Sequence, residues 1–471
     1  MVQLSNLIAS IDSTIVNVSL PSITEDTHAD LSTAQWVITG YLITVMIGLL
    51  ITGRLADILG RKRVFIQGFI LFTAGSLFCG AAPDCRWLIV ARIIQAIGAA
   101  SLLANANPIL TNTFQGAERG LALGLNSTIV AAGYALGFVL GGVLSEYTGW
   151  RSIFYVNVPV GIVAVLLCRS LLAPDPEGFD REGLRQFDWK GSILSCIGLG
   201  CTLFSLDRLA GSPRFEYHDL ALLIVGLIAF GLFIASQFRI RNPLVHLELF
   251  RLQNVSVGLS CLFCFTATLA SCSFVFPFFL QGILELEPSK TGLVLMPYSL
   301  ALSIVAPFTG WLTARMHPGW MSCSGFLLGA GVSLSYMELS ASSSFWWVAV
   351  GQFGLGLSGA TFLSPNRVVV LSTVPEKNLG EASALIQVIR FFGLSIGTLM
   401  ASLIFHDLMD DFGGVAQLLK TRGSDLVDAA FIHGIQVLFS ITAFLMILGA
   451  AACAWNVRHQ AERKTRAQSA A

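Results

Sequence analysis

The sequence predicts an all-α membrane protein whose fourteen spanning helices form two six-helix halves separated by a pair of extra helices. Only 12% of the 471 residues are charged, about half the share in an average soluble domain. Apolar runs of about 20 residues, the length of a spanning helix, follow one another along the chain, and parts of the first six recur in order in the last six. Strands of a membrane barrel would be about half as long and would alternate polar with apolar residues.

The predicted spans lie between charged residues and Pro/Gly clusters, which mark the loops. They divide the chain into an N-terminal six-helix bundle (1–172), a two-helix insertion with its linkers (173–250), a C-terminal six-helix bundle (251–457) and a basic tail (458–471). The spans are predicted at Leu4–Ile23, Ala34–Gly53, Val64–Ala82, Trp87–Ile109, Gly120–Leu144, Ile153–Cys168, Gly191–Leu206, Leu220–Phe238, Val255–Leu280, Thr291–Ala314, Met321–Leu339, Phe345–Ser364, Ala382–Phe405 and Ala430–Trp455.

Basic residues are distributed unevenly between the two sides of these spans. If Met1 is on the inner side, nineteen Lys and Arg residues fall on that side and seven on the other. Cytoplasmic loops carry the excess of positive charge, so both termini are predicted to be cytoplasmic, and the cell membrane is the expected location. The first span carries Asp12 and lacks a basic leader, so it is not a cleaved signal peptide. Because this span begins close to Met1, we expect a short cytoplasmic segment to precede it in the full-length protein.

Several functional classes are excluded by the composition. The net charge of zero gives no sign of a nucleic-acid partner. The ten cysteines lie mostly within apolar runs, and the pair Cys261 and Cys264 has no second pair or histidine to complete a zinc site. No nucleophile is placed with a base, as an enzyme would require, so neither a cofactor nor a metal is expected. The cytoplasmic loops are too short for the soluble domain of a sensor. These observations leave transport of a small molecule across a lipid bilayer, by a monomer, as the expected function.

Internal repetition supports the division into two halves. Three glycines of span five recur with identical spacing at span thirteen, where Gly120, Gly133 and Gly137 match Gly380, Gly393 and Gly397. Shorter matches link the ends of spans two and ten, and also spans four and twelve. Repeats of this kind are typical of transporters whose halves are related by a pseudo-two-fold axis, with the substrate site between the halves.

The loop between spans two and three carries a dense motif, Gly-Arg-Leu-Ala-Asp-Ile-Leu-Gly-Arg-Lys-Arg, at residues 53–63. Its glycines permit a tight turn, and its acidic residue can pair with a nearby arginine or with a helix N-terminus. The motif resembles the loop signature of the major facilitator superfamily. This resemblance implies the major facilitator fold and a conformational latch between the halves, formed by Gly53, Asp57, Gly60, Arg61 and Arg63. The alternative is a basic cluster that only fixes topology.

Two charges are placed in the middle of spans. A charged side chain at this depth costs at least about 2.5–3.5 kcal/mol, so Asp12 of span one and Arg92 of span four are expected to pair. Residues 11–21 resemble the first-span signature of the fourteen-helix drug:proton antiporters, and Arg92-x-x-Gln95 resembles their fourth-span motif, although Ala96 stands in place of a glycine. The resemblance implies proton coupling through Asp12 and Arg92. A purely structural ion pair is the alternative.

Span five is rich in glycine and includes Gly124, Gly133, Gly137, Gly141 and Gly142. Three of these recur every four residues, so they line one helix face and allow another backbone to approach closely. The pattern resembles the antiporter motif of the same family, except that Phe138 replaces a proline, which weakens the argument for antiport. Simple helix packing is the alternative. Further residues expected at the cavity are Asn17, Gln95 and Arg390.

Together these features predict a transporter that exports drugs, toxins or metabolites by proton antiport through alternating access. The proton gradient drives it, without a cofactor. Import by symport or uniport is the main alternative, because the loop motif serves both directions, and a receptor without transport is a more distant one. The sequence does not specify the substrate, but a single acidic residue at membrane depth gives a weak indication of cationic or neutral lipophilic cargo.

Overall fold

The computed structural model describes residues 1–114, 116–172, 181–185, 187–211, 217–240, 243–313, 315–375, 379–409 and 425–470. Within these ranges the chain is mostly α-helical, as the sequence predicts. The helices are α1 Val2–Thr27, α2 Leu31–Leu59, α3 Arg61–Gly80, α4 Cys85–Thr113, α5 Gly116–Tyr147, α6 Ser152–Tyr155, α7 Asn157–Leu171, α8 Arg181–Arg185, α9 Trp189–Gly211, α10 Tyr217–Gln237, α11 Gln253–Phe278, α12 Pro288–Leu295, α13 Pro297–Leu312, α14 Pro318–Tyr336, α15 Phe345–Leu371, α16 Leu379–Met409 and α17 Asp425–Ala470. A 3-10 turn, Leu247–Arg251, precedes α11, and a π-helical segment, Phe279–Ile283, follows it.

Helix boundaries follow local chemistry. The carboxylates of Asp30 and Asp84 accept hydrogen bonds from the backbone N–H groups of Thr33 (3.1 Å) and Trp87 (2.9 Å). These bonds satisfy free donors at the starts of α2 and α4. A single residue, Gly60, separates α2 from α3, and its φ of 98° is in the region that favours glycine. The motif at residues 53–63 therefore forms one tight turn between two long helices.

Twelve of the described helical segments are long and apolar enough to cross a membrane. The predicted sixth span consists of two consecutive helices, α6 and α7. The predicted tenth span likewise consists of α12 and α13. The predicted eleventh and twelfth spans coincide with α14 and α15, which have 19 and 27 residues but are less apolar. The all-helical membrane fold is therefore confirmed, whereas the count of fourteen spans is not. The predicted tail at 458–471 falls in the last turns of α17, where side chains from residue 460 onward lie outside the described part.

The two halves repeat the same helix contacts. α1 packs along α5 in the N-terminal half, and α11 packs along α16 in the C-terminal half. A side chain added to Gly137 would overlap Thr14, and one added to Gly393 would overlap Thr266. Gly137 and Gly393 therefore occupy corresponding positions in the two halves.

This correspondence corrects the alignment that the sequence predicts. The sequence pairs Gly133 with Gly393 and Gly137 with Gly397, which is wrong by one helical turn. A run of glycines at every fourth residue offers two alignments with equal spacing, and only the facing helix distinguishes them. The pseudo-two-fold relation itself remains, because each half uses glycines of one helix to receive the first helix of its bundle.

The insertion is a helical hairpin. α9 and α10 pack against each other, and α9 also contacts α2 and α16. The buried Asp188 carboxylate joins the base of the hairpin, because it accepts hydrogen bonds from the Gly191 backbone N–H (2.7 Å) and the Gln237 side-chain amide (2.8 Å). The predicted segment boundaries remain a prediction, since part of the linker, residues 173–180, lies outside the described residues.

The two halves bind each other at one end of the bundle, here named the outer end because the charge pattern predicts that it is external. There the Gln281 side-chain amide donates to the Val18 carbonyl oxygen (2.9 Å), and the Ser289 backbone N–H donates to the Glu146 carboxylate (3.1 Å). These bonds join α1 and α5 of one half to the π-helical segment and the first turn of α12 of the other. The opposite end, which carries the turn between α2 and α3, is named the inner end.

The hydrophobic cores also differ between the outer and inner ends of the bundle. Buried side chains of the N-terminal half share one core with outer-end residues of the C-terminal half, such as Phe276 and Phe405. The inner end of the C-terminal half has a core of its own, which includes Phe265 and Phe362. The described part of the protein is therefore closed at the outer end, and its halves have separate cores at the inner end.

Candidate functional site

Two buried charges lie side by side in the N-terminal half. Asp12 is on α1 and Arg92 is on α4, and the Arg92 Nη1 atom is 2.7 Å from the Asp12 Oδ2 atom. Their side chains are 0% and 2% exposed, respectively. In such a dry environment an ion whose partner is removed is strongly destabilised. Each charge therefore depends on the other in this conformation.

Two amide side chains bond directly to the pair, and a serine bonds to one of these amides. The Gln95 carbonyl oxygen accepts from Arg92 (2.6 Å), while its amide nitrogen donates to Asp12 Oδ1 (2.9 Å) and to Ser76 Oγ (2.8 Å). The Asn157 amide of α7 also donates to Asp12 Oδ1 (3.3 Å). These five residues, Asp12, Ser76, Arg92, Gln95 and Asn157, are named the Asp12 cluster. Both oxygens of the carboxylate are thus occupied by donors.

The Arg92 guanidinium is also held by α2. Its Nε atom donates to the Val37 carbonyl oxygen (3.2 Å), and its central carbon lies 3.9 Å from the centre of the Tyr41 ring, a cation–π contact. All of these partners belong to the N-terminal half. In the C-terminal half, Cys264 occupies the position on α11 that corresponds to Asp12, because Thr266 corresponds to Thr14. The carboxylate is therefore not repeated.

Three glycines of α5 face the helix that carries Asp12. A β-carbon added to Gly133 would lie 2.7 Å from the Ser10 β-carbon, and one added to Gly141 would lie 2.6 Å from the Ile15 carbonyl oxygen. Gly137 lies between these two and is equally crowded. Small residues in such a row let two backbones approach closely. The glycine row of α5 therefore supports α1 at the level of Asp12.

The remaining residues of the glycine motif lie in other surroundings. Gly142 touches the Pro288 backbone of α12, and Gly292 of α12 touches the Phe138 carbonyl, so this part of α5 contacts the other half. The Phe138 side chain, at the position where the family has proline, is 5% exposed within the shared core. The surroundings of Gly124 lie outside the described residues.

The turn between α2 and α3 is bound to its own half. The Asp57 carboxylate pairs with Arg61 at 2.6 Å, and these side chains are 45% and 32% exposed. The Lys62 ammonium donates to the carbonyl oxygens of Arg169 (3.3 Å) and Leu172 at the end of α7. These contacts brace the inner end of the N-terminal half, and the role of the turn as a latch between halves stays a prediction.

Two of the three residues expected at the cavity are buried. Asn17 is 9% exposed, and its amide donates to the Ser13 carbonyl oxygen (3.3 Å). Gln95 is 0% exposed, because both its amide oxygen and its amide nitrogen serve the Asp12 cluster. Both side chains are thus engaged within the N-terminal half in this conformation, and their role in lining a cavity stays a prediction.

The third residue, Arg390 of α16, reaches the N-terminal half. It donates a hydrogen bond to the Tyr134 hydroxyl of α5, and its guanidinium carbon lies 5.7 Å from the centre of the Tyr134 ring. Each residue precedes its corresponding glycine, Gly137 or Gly393, by three positions. The two side chains thus occupy corresponding positions in the two halves and meet near the pseudo-two-fold axis.

Sequence reasoning did not identify several members of these sites. They are uncharged polar residues within or beside apolar helices, and such residues are too common in spans for composition to distinguish them. The register offers a signal for one of them, because the corrected glycine correspondence relates Arg390 to Tyr134. The residues missed are Tyr41, Ser76, Tyr134 and Asn157. Among the described residues, no group of His, Cys, Asp and Glu could hold a metal ion.

Comparison with known proteins identifies the family. The family model described as Major Facilitator Superfamily matches residues 3–398 and, in a second match, residues 258–471. The chain belongs to the major facilitator superfamily. Membership confirms the family that the motifs predict, and with it the expectation of a multi-pass membrane transporter that is not an enzyme.

Relatives with curated names fall within the same family. The transporter is 31% identical to the riboflavin transporter RibZ of Clostridioides difficile over 84% of this chain and 85% of that protein. It is 30% identical to the multidrug resistance protein Stp of Mycobacterium tuberculosis over 82% of this chain and 71% of that protein. A solved structure of a bacterial homologue of the human lysosomal transporter Spinster, inward-facing and occupied, has a TM-score of 0.61, 20% identity, and coverage of 97% of this chain and 95% of its own. The structural likeness supports the fold.

Proposed function

We propose that this transporter exports small organic molecules from the cell in exchange for protons, by alternating access. The observation that carries the proposal is the buried Asp12–Arg92 pair, which is 2.7 Å long and lies within the N-terminal half. Intramembrane ionisable residues are expensive and typically mark ion or proton pathways. In this arrangement Asp12 is the proton carrier and Arg92 is the cation that favours its charged form.

Proton exchange at this site would work through competition. A proton on Asp12 neutralises the carboxylate and removes the charge that holds Arg92, while Gln95 and Asn157 can still donate to its oxygens. The protonated and deprotonated forms therefore favour different arrangements of α1 and α4. A cargo molecule that favours one arrangement must weaken proton binding in it, because coupling between two ligands is reciprocal.

The packing of α5 supports antiport as well. Its glycine row, Gly133, Gly137 and Gly141, receives the helix that carries Asp12, and neighbouring residues contact α12 of the other half. One helix thus touches both the proton site and the interface between the halves. We place the transporter in the cell membrane with both termini in the cytoplasm, as the distribution of basic residues predicts.

Uptake or facilitated diffusion of a metabolite is the second candidate. The relative RibZ, a riboflavin transporter that is 31% identical to this chain, supports it, and so does Phe138 at the position where the antiporter motif has proline. The relative Stp, a multidrug resistance protein, supports export. The direction of transport and the coupling to protons must therefore be measured together.

The decisive experiment measures proton movement in inside-out vesicles that hold an imposed pH gradient, while a panel of lipophilic compounds is added. The test variant is Asp12→Asn, which keeps the shape of the side chain. The matched control is Asp26→Asn on the same helix, because Asp26 is 51% exposed and pairs with Arg151 at the outer end. We expect at least one compound to collapse the gradient with the native protein and the control, but not with Asp12→Asn.

Two other outcomes contradict parts of the proposal. If labelled compounds cross the membrane without moving protons, antiport is wrong and a uniporter is the better description. If Asp12→Asn moves protons as well as the native protein does, the assignment of the proton to Asp12 fails even though coupling remains.

A further inference from the structure

Four side chains from four helices lie near one another, between the outer closure and the inner end of the bundle. Arg390 of α16 donates to the hydroxyl of Tyr134 of α5. Tyr298 of α13, which is 6% exposed, lies within electrostatic range of both, and Arg367 of α15 lies close enough to Arg390 for the two cations to repel each other. These residues, Tyr134, Tyr298, Arg367 and Arg390, are named the arginine–tyrosine cluster.

Among the described residues, the two arginines have no carboxylate partner. In the described part of the chain, neither forms an ion pair, and the groups that act electrostatically on Arg390 are two tyrosines. The group that acts on Arg367 is Arg390 itself. Charged side chains at membrane depth are normally paired or line a pathway for a ligand. Two neighbouring cations that face no anion within the described part of the chain therefore need a second explanation besides packing.

Arg367 and Arg390 are not enclosed in a core at the inner end. Arg367 is exposed to solvent, although its helix α15 packs against α11, α13 and α14. Arg390 is half-buried. Among the described residues, the halves have separate cores at this end, so no shared apolar core covers the two arginines from that side.

Asp12 offers no counter-charge to a ligand between the halves in this conformation. It is 0% exposed, and both of its oxygens accept hydrogen bonds from Arg92, Gln95 and Asn157. A cargo molecule between the halves would therefore meet the positive charge of Arg367 and Arg390 rather than the buried carboxylate. This polarity is the reverse of the cationic cargo that a single intramembrane acid indicates from the sequence.

We propose that Arg390 and Arg367 bind the anionic group of an organic substrate, such as a carboxylate, sulfonate or phosphate, while the transporter is open at its inner end. The anion takes the place of the Tyr134 hydroxyl on Arg390, and Arg367 supplies the second set of donors. Guanidinium groups suit this task, because their planar donor fork matches such oxyanions. The inference rests on the proposed transport function, but it concerns binding alone and does not require proton coupling.

A position near the inner end alone would also suit a basic residue that only fixes topology. That alternative explains Arg367 but not Arg390, which lies well inside α16 and bonds to Tyr134 of the opposite half. It also predicts that neither residue affects ligand binding. The two explanations therefore differ in the effect that they predict for substitutions of Arg367 and Arg390 on ligand binding.

The test compares two dyes that share a xanthene ring but differ in charge. Binding of anionic carboxyfluorescein and cationic rhodamine 6G to the purified full-length protein in detergent is followed by fluorescence anisotropy, with no gradient present. We expect Arg390→Met and Arg367→Met to weaken carboxyfluorescein binding by about ten- to hundred-fold, the usual effect of losing a charged hydrogen bond. Lysine at either position should restore part of the affinity, and rhodamine 6G binding should not weaken.

The lysine variants and gel filtration serve as controls for correct folding. Each variant must elute as a single monodisperse species. Benzoate and naphthalene-2-sulfonate serve as further anions, scored by the shift that they cause in the thermal unfolding temperature. If the native protein binds none of the three anions more tightly than the Arg367→Met/Arg390→Met variant does, the proposal is wrong. A native preference for rhodamine 6G over carboxyfluorescein would overturn it as well. Proton flux can fail while anion binding holds, or the reverse, so the two proposals are tested separately.

Discussion

Replacing Arg92 by methionine removes one charge of the buried pair and keeps much of the side-chain volume. Asp12 then keeps uncharged partners, among them the amides of Gln95 and Asn157. Removing one partner of a buried ion pair costs about 3–5 kcal/mol. Proton uptake by the carboxyl group limits the loss, because protonating an ordinary aspartic acid at pH 7 costs about 4 kcal/mol. We therefore expect Arg92→Met to lower the free energy of unfolding by about 3–4 kcal/mol at pH 7.

Because proton uptake by Asp12 limits the loss of stability in Arg92→Met, that loss depends on pH. Protonating the carboxyl group becomes easier by about 1.4 kcal/mol for each unit that the pH falls. The folded variant binds a proton that the unfolded chain releases, so its stability rises relative to the native protein as the pH is lowered. Between pH 7 and pH 5 the defect of Arg92→Met should shrink to about 1.5 kcal/mol.

The assay is unfolding of the purified protein in mixed micelles at several pH values, for the native protein, Arg92→Met, Asp12→Asn and the double variant. The double variant removes both charges and should be more stable than Arg92→Met, because coupled residues do not give additive losses. Arg390→Met is the matched control, since Arg390 has no carboxylate partner among the described residues. A loss below about 1 kcal/mol, a loss that does not change with pH, or strictly additive losses would refute the reasoning.

Three further predictions concern packing, the turn motif and the outer closure. Gly141→Ala should destabilise the protein by about 1–3 kcal/mol, because its β-carbon would lie 2.6 Å from the Ile15 carbonyl oxygen. The control is Gly331→Ala, whose β-carbon would meet open space. Equal melting temperatures of the two variants would contradict the close contact. Arg61→Ala should change stability by no more than about 0.5 kcal/mol, since its partner is exposed, yet should slow transport, and unchanged flux would argue against a latch. Oxidation of a Glu146→Cys/Ser289→Cys variant should block flux reversibly, and undiminished flux in the cross-linked protein would mean that the outer end need not open.

The sequence was sufficient for the family, the helical membrane fold and the two central charges. Asp12 and Arg92 could be identified because charge is rare in apolar spans, so each intramembrane ion stands out. The span count could not be settled, because α14 and α15 are rich in Gly, Ser and Trp and lie near the limit of apolar composition. Length alone does not show whether such a helix crosses the membrane.

The details of the site depend on which face each helix turns inward, and one sequence does not contain that information. Gln95 was expected at a cavity but is fully buried, because the phase of α4 turns it toward Ser76 and Asp12. The alignment of the glycine repeats failed for a related reason. Glycines spaced four residues apart can be aligned equally well one helical turn away. Only the contact that a side chain at Gly393 would make with Thr266 identifies the correct alignment.

Rocking of two rigid bundles changes distances between them and preserves distances within each one. The side chains of Arg92, Gln95 and Asn157 that donate to Asp12 belong to α4 and α7 of its own bundle, so rocking alone would neither separate Asp12 from Arg92 nor admit water to the carboxylate. Under the proposed antiport, loading a proton therefore requires a deformation inside the N-terminal bundle, where α1 packs on the glycine face of α5. The transport cycle would then contain two distinct movements with separate rates. Protons would leak without cargo whenever the deformation inside the N-terminal bundle occurs before the two bundles rock.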